Sequence, residues 1–209
     1  MKGALSIAID PGPIEKASAE IVVVSCFETD RPLRGETGRI DWRLCGAVSE
    51  LLQRGVLRGA AGEAALLPTF GRLRAPRVLL LGLGTLQRFT AVDVKAAARD
   101  AVLRLGLLRI QSAAFALPGH WTGRLPEGPC AGAVLRGAVS ALEETAESLR
   151  LRLFVPAQAA TRALGGVEAA IRALGEPDVA IQLIGVEPVS TLSARRPPAS
   201  SRGAGPPIA

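Results

Sequence analysis

Short runs of consecutive aliphatic residues alternate along this chain with longer segments whose apolar positions recur every three or four residues. The runs Ala4–Ile9, Ile21–Phe27, Glu63–Phe70, Arg77–Leu81, Ser112–Leu117, Leu151–Val155 and Val179–Val186 predict strands. Several are apolar throughout, as strands buried on both faces of a layered sheet are. Between Asp41 and Arg54, the residues Leu44, Val48, Leu51 and Leu52 share one helical face. That spacing predicts an amphipathic helix with Asp41 near its N-cap and Gly55 just past its end. Thr90-Ala-Val-Asp93 has the spacing of a capping box and opens a helix that the pattern ends at Leu105, before Gly106. Further helices are expected over about Ala131–Leu149 and Ala157–Leu174. Strands and helices in alternation make an α/β layer structure. Val78–Leu81 belongs in a central strand, because an uninterrupted aliphatic run on an edge invites edge-to-edge pairing.

After Pro188 the chain turns Pro-, Ser-, Gly- and Arg-rich. The division expected is one domain over residues 1–187 and a flexible tail over 188–209. A chain of 209 residues, 48% hydrophobic and 21% charged, has enough apolar material for a core of its own. Aromatics are only 3%, so aliphatic and alanine packing must fill that core. The net charge of +6 raises the question of nucleic acid. Half of it comes from Arg195, Arg196 and Arg202 in the tail, and the remaining basic residues are scattered singly, which disfavours a phosphate-tracking surface.

Three cysteines, Cys26, Cys45 and Cys130, form neither a CxxC pair nor an even disulfide set; they suit a reducing compartment and are read as small buried hydrophobes. No signal-peptide pattern opens the chain. Its longest stretch without charge, Ile110–Gly123, contains Pro118 and is too short to span a bilayer, so a cytoplasmic protein without a membrane segment is expected.

Leu79-Leu80-Leu81-Gly82-Leu83-Gly84-Thr85 is the most suggestive local motif: a strand running into glycines, which let a backbone approach a phosphate. Gly82, Gly84 and Thr85 are therefore the candidate ligand loop. The dinucleotide fingerprint needs a third glycine where Gln87 stands, and a helix opening at once, so that reading fails and a tight turn competes with a ligand loop. His120, the single histidine, lies in a Pro-Gly-His-Trp loop with no carboxylate near it in sequence. It reads as a surface or hydrogen-bonded loop residue rather than a base or metal ligand. Glu143, Glu144 and Glu147 read as the wet face of a helix rather than a metal cluster, Trp42 as a packing residue and Trp121 as a loop anchor. No catalytic residue, metal ligand or cofactor is assigned.

Taken in order, IVVVSCFE (21–28), DWRLCGAVSELLQRGVLRGAAGE (41–63), LLPTFGRLRAPRVLLLGLG (66–84), Phe89–Leu105, the Leu117-Pro118-Gly119 loop and the helix near Ala131 resemble the N-terminal domain of the leucyl (cytosol) aminopeptidase family. The resemblance covers about residues 20–150, with Val48 where leucine is common. It implies a macro-domain-like fold, a three-layer mixed sheet flanked by helices. In that family the active site lies in a separate C-terminal domain that holds two metal ions and carries an NTDAEGR signature. This sequence contains no NTDAEGR, and its lysines, Lys2, Lys16 and Lys95, stand in no metal-site context. No catalytic position of the family carries over. The segment Leu151–Val186 departs from the family's linker and is expected to complete the sheet, as in a self-contained protein.

Three classes of function follow. The first is a non-catalytic module that associates with itself or with a protein partner. The second is a binder of a nucleotide or ADP-ribose-like small molecule in a macro-like cleft. The third is a peptidase-family protein with unrecognised aminopeptidase activity. The mean hydropathy of +0.29, with helices apolar on more than one face, favours the first.

Overall fold

A computed structural model describes residues 3–186 of the chain. The expected tail lies outside the described residues. Seven strands form one sheet in the order β3-β4-β2-β5-β6-β1-β7. They are β1 (Ala4–Asp10), β2 (Ile21–Cys26), β3 (Ala64–Pro68), β4 (Arg77–Gly82), β5 (Ser112–Ala116), β6 (Ser148–Phe154) and β7 (Ala180–Val186). Neighbouring strands are parallel except β3, which runs antiparallel to β4 with Leu66 opposite Leu79. Five helices, α1 (Gly35–Arg43), α2 (Ala47–Gln53), α3 (Ala91–Leu107), α4 (Glu127–Thr145) and α5 (Ala160–Leu174), cover it. One apolar cluster joins the sheet to α3, α4 and α5, and a second joins the opposite face of β2, β4 and β5 to α1 and α2. The result is the three-layer, macro-like mixed sheet that the resemblance implies.

The aliphatic run Val78–Leu81 is buried and paired on both sides, but it lies one strand in from the edge, and β5 takes the middle. A run of this kind needs only a strand on each side and a layer on each face, and β3 supplies the outer partner.

The helix expected over Asp41–Arg54 is two helices. Cys45 (φ 58°) and Gly46 (φ 82°) adopt the left-handed conformation and turn the chain between them. Asp41 ends up inside α1, and its carboxylate caps α2: it accepts the amides of Val48 (2.8 Å) and Ser49 (3.1 Å) and the Ser49 hydroxyl. Gly55, past α2, takes a positive φ of 68°. Thr90 and Asp93 form the capping box, but α3 runs through Gly106 to Leu107, and Arg109 (φ 54°) makes the left-handed turn after it. Helix α4 begins four residues before Ala131, because Pro129 sits in a first turn whose amides have no partner within the helix. It ends at Thr145 because Ala146 turns left-handed, which frees Ser148 and Leu149 for β6.

Two packing expectations are corrected. Trp42 is 75% exposed on the outer side of α1 instead of packed. Cys26 and Cys130 are buried, whereas Cys45 is exposed at the turn between α1 and α2.

Candidate functional site

In a sheet of parallel strands, the natural place for a ligand is the crevice at the strands' carboxyl ends where successive connections leave toward opposite layers. Here that place lies between β2, whose chain continues into α1, and its neighbour β5, whose chain continues into α4 on the other face. Three loops converge there: Phe27–Arg34 after β2, Leu83–Thr90 after β4 and Leu117–Pro126 after β5.

The space between these loops is filled by the chain's own rings. Phe27 and Phe89 meet edge-to-face with centroids 4.9 Å apart, and Trp121 lies 5.9 Å from Phe27. Phe27 and Phe89 are buried. The fit is close enough to require glycine beneath them. A Cβ on Gly119 would lie 2.8 Å from Phe89 and 3.0 Å from Phe27, and one on Gly35 would lie 3.0 Å from Trp121. Trp121 is thus the loop anchor that its position suggested.

The candidate loop Gly82, Gly84 and Thr85 lies beside this plug. Its amides at 82, 83 and 84 donate to the carbonyls of Glu63 (2.7 Å), Cys26 (2.9 Å) and Gly59 (2.8 Å). Gly82 and Gly84 are buried and Thr85 is exposed. A Cβ at Gly82 would collide with the Ala60 carbonyl, and Gly84 takes a positive φ of 74° against Ala61. Both glycines are accounted for by the close approach of the 59–61 segment. Glu63 holds that segment, its carboxylate accepting the amides of Arg58 and Gly59 (2.7 Å each) and Ala60 (3.3 Å). These amides, Arg58's foremost, keep the Glu63 carboxyl below its ordinary value.

His120 has a carboxylate neighbour that sequence spacing concealed. Glu36, buried in the first turn of α1, places Oε1 3.5 Å from His120 Nε2 and 3.0 Å from Arg39 Nη2. Arg39 also reaches Glu15 at 3.4 Å. Eighty-four positions separate Glu36 from His120, and only the juxtaposition of the loops after β2 and β5 joins them. Glu36 Oε2, Glu15 Oε2 and His120 Nε2 are buried without a hydrogen-bond partner, which marks places for bridging water.

Other sites yield structural pairs. Glu143, Glu144 and Glu147 are exposed, and Glu144 takes a bidentate contact from Arg99 across α3 and α4. Arg162 of α5 holds Glu127 at the start of α4 and lowers its carboxyl below the ordinary value. Burial pushes the thiols of Cys26 and Cys130 up to about 12. Among the described residues no three His, Cys, Asp or Glu side chains are grouped to hold a metal ion, and no helix is long and apolar enough to cross a membrane.

Comparison with known proteins places the fold and the family. The macrodomain of Oceanobacillus iheyensis, in a mutant form, superposes with a TM-score of 0.64 at 15% identity, over 79% of this chain and 92% of that one. A tomato leucine aminopeptidase mutant superposes with a TM-score of 0.63 at 14% identity, over 83% of this chain and 38% of that one. In sequence, a probable cytosol aminopeptidase from Geobacter sp. is 36% identical over 110 residues, which are 51% of this chain and 21% of the relative. The chain thus spans about a fifth of the length of the curated relatives it matches. The family model described as the cytosol aminopeptidase family, N-terminal domain, matches residues 23–155, well over half of the chain. By that match the chain belongs to the cytosol aminopeptidase family, through the family's N-terminal domain.

Proposed function

We propose that this chain is a non-catalytic module of the cytoplasm whose work is association, with copies of itself or with another protein. The observation that carries this reading is the aromatic plug. Phe27, Phe89 and Trp121 occupy the crevice where the fold would otherwise receive a small molecule. Beside it, three successive amides of the Gly82–Thr85 loop already donate to the chain's own carbonyls. Large apolar side chains, meanwhile, stand on the outside. Trp42, Phe70 and Leu107 are each at least 75% exposed, and Ile184 and Val186 face solvent on the edge strand β7. Exposed apolar residues in such positions are what an association surface uses. The family model that matches is that of the N-terminal domain, and the reading therefore assigns the chain no hydrolysis of aminoacyl substrates.

The test is to give the purified chain the ligands of the competing readings. Leucyl-p-nitroanilide with zinc or manganese should be left unhydrolysed beyond a mock preparation, and millimolar ADP-ribose should leave the melting temperature unchanged. Metal-dependent hydrolysis would move the chain to the peptidase reading. A saturable rise in melting temperature with ADP-ribose, lost on substitution of the exposed Thr85, would move it to the small-molecule reading.

A further inference from the structure

The outer face of α1 around Trp42 has a specific chemistry. The indole is 75% exposed, in a chain with only two tryptophans. An open groove lies on each side of it. One, of about 680 Å³, is bordered by Asp41, Cys45 and Gly46; the other, of about 400 Å³, by Glu15, Gly35 and Arg39. Gly38 lies in the floor of both. A Cβ there would lie 2.8 Å from the Leu33 carbonyl, so this position needs glycine. Beneath the indole the backbone is fixed, because the Asp41 carboxylate ties the end of α1 to the start of α2.

The charges that border the grooves are not balanced toward solvent. Asp41 is buried and spent on three hydrogen bonds, and Glu15 faces Arg39. Arg43 lies over the Trp42 ring at 5.3 Å, and among the described residues no carboxylate pairs with it. An exposed tryptophan with an arginine stacked on it, set between two open grooves, has the make-up of an interface hot spot.

We propose that this face docks an acidic segment of a different protein, with an apolar side chain seated beside Trp42 and a carboxylate on Arg43. The proposal rests on the association reading above and names the surface and the partner's chemistry. A second copy is the poorer occupant. A two-fold contact centred on Trp42 would set Arg43 against its own copy, in a chain whose net charge is already +6. Nucleic acid is also poorer, since it asks for a row of cations along a backbone, and of the two arginines at this face Arg39 is already paired with Glu36 and Glu15.

The test uses the full chain, immobilised and panned against a random peptide library. Enriched peptides should carry Asp or Glu around an aliphatic or aromatic residue. Their affinity should fall at least about tenfold with Trp42→Ala and with Arg43→Glu, and should weaken on going from about 0.05 M to about 0.5 M salt. Both side chains are exposed, so each variant should keep the parent's melting temperature, and either one alone decides. Peptides without acidic excess, binding untouched by both substitutions, an empty selection, or an oligothymidylate that binds through Trp42 would each overturn the proposal. Failure here leaves the association reading standing if the chain is still found as an oligomer or in a stable complex. A monomer with no complex removes that reading independently.

Discussion

Burial divides the three thiols into two chemical kinds. Cys26 and Cys130 are enclosed and protonated up to about 12, while Cys45 stands exposed at a left-handed turn. The thiolate is the reactive form and needs access, so Ellman's reagent at pH 8 should titrate one thiol in the native protein and three in guanidinium. Three fast thiols in the native state would show that the two cores are open. Glu63 makes a second case, because its carboxylate gathers the amides of Arg58, Gly59 and Ala60 and so supports the segment on which Gly82 rests. Its folded value lies below the ordinary one. Its contribution is therefore complete above the ordinary carboxylate value and is lost as pH falls through the folded value. Glu63→Gln should cost about 1 kcal/mol at neutral pH and flatten the acid limb of melting temperature against pH. Asp30, whose carboxyl burial raises, has the opposite sign but is present in both proteins and cancels. An unchanged acid limb would remove Glu63 from its anchoring role.

Among the elements, the corner between α1 and α2 depends on one side chain. Asp41→Ala removes three hydrogen bonds from the first turn of α2 and should cost about 2 kcal/mol, whereas Asp41→Asn, which keeps an acceptor, should cost less. Equal losses in the two variants would contradict the cap. A second contact joins α4 to α5, where a Cβ on Gly166 would overlap the Gly128 carbonyl. Gly166→Ala should force the helices apart and destabilise by about 1–3 kcal/mol, although alanine is the better helix former. Differential scanning calorimetry checks both. Most of the elements were legible in the sequence, because aliphatic runs such as Ile21–Phe27 leave few alternatives to a buried strand, and the Thr90–Asp93 box announces its helix. The break at Cys45 and Gly46 was not, since the apolar spacing from Leu44 to Val48 continues across it and Asp41 looks like a start either way. The meeting of Glu36 with His120 left no local trace, because it depends on which strands lie side by side. The exposure of Trp42 was hidden for a related reason: its neighbour Asp41 faces inward, and one helix turn carries both faces.

At the scale of the whole molecule, the fold is macro-like, and aromatic rings occupy the space at the carboxyl ends of β2 and β5. Large apolar side chains stand exposed on α1, on the edge strand β7 and at Phe70 beyond β3. The association proposed above is tested by the mass of the particle. Light scattering coupled to size exclusion, applied to the tagged chain gently purified from the cell that makes it, should give a particle clearly heavier than the 21.7 kDa monomer, whether from further copies or from a second protein in fixed ratio. A particle of 21.7 kDa at every micromolar concentration would contradict the claim.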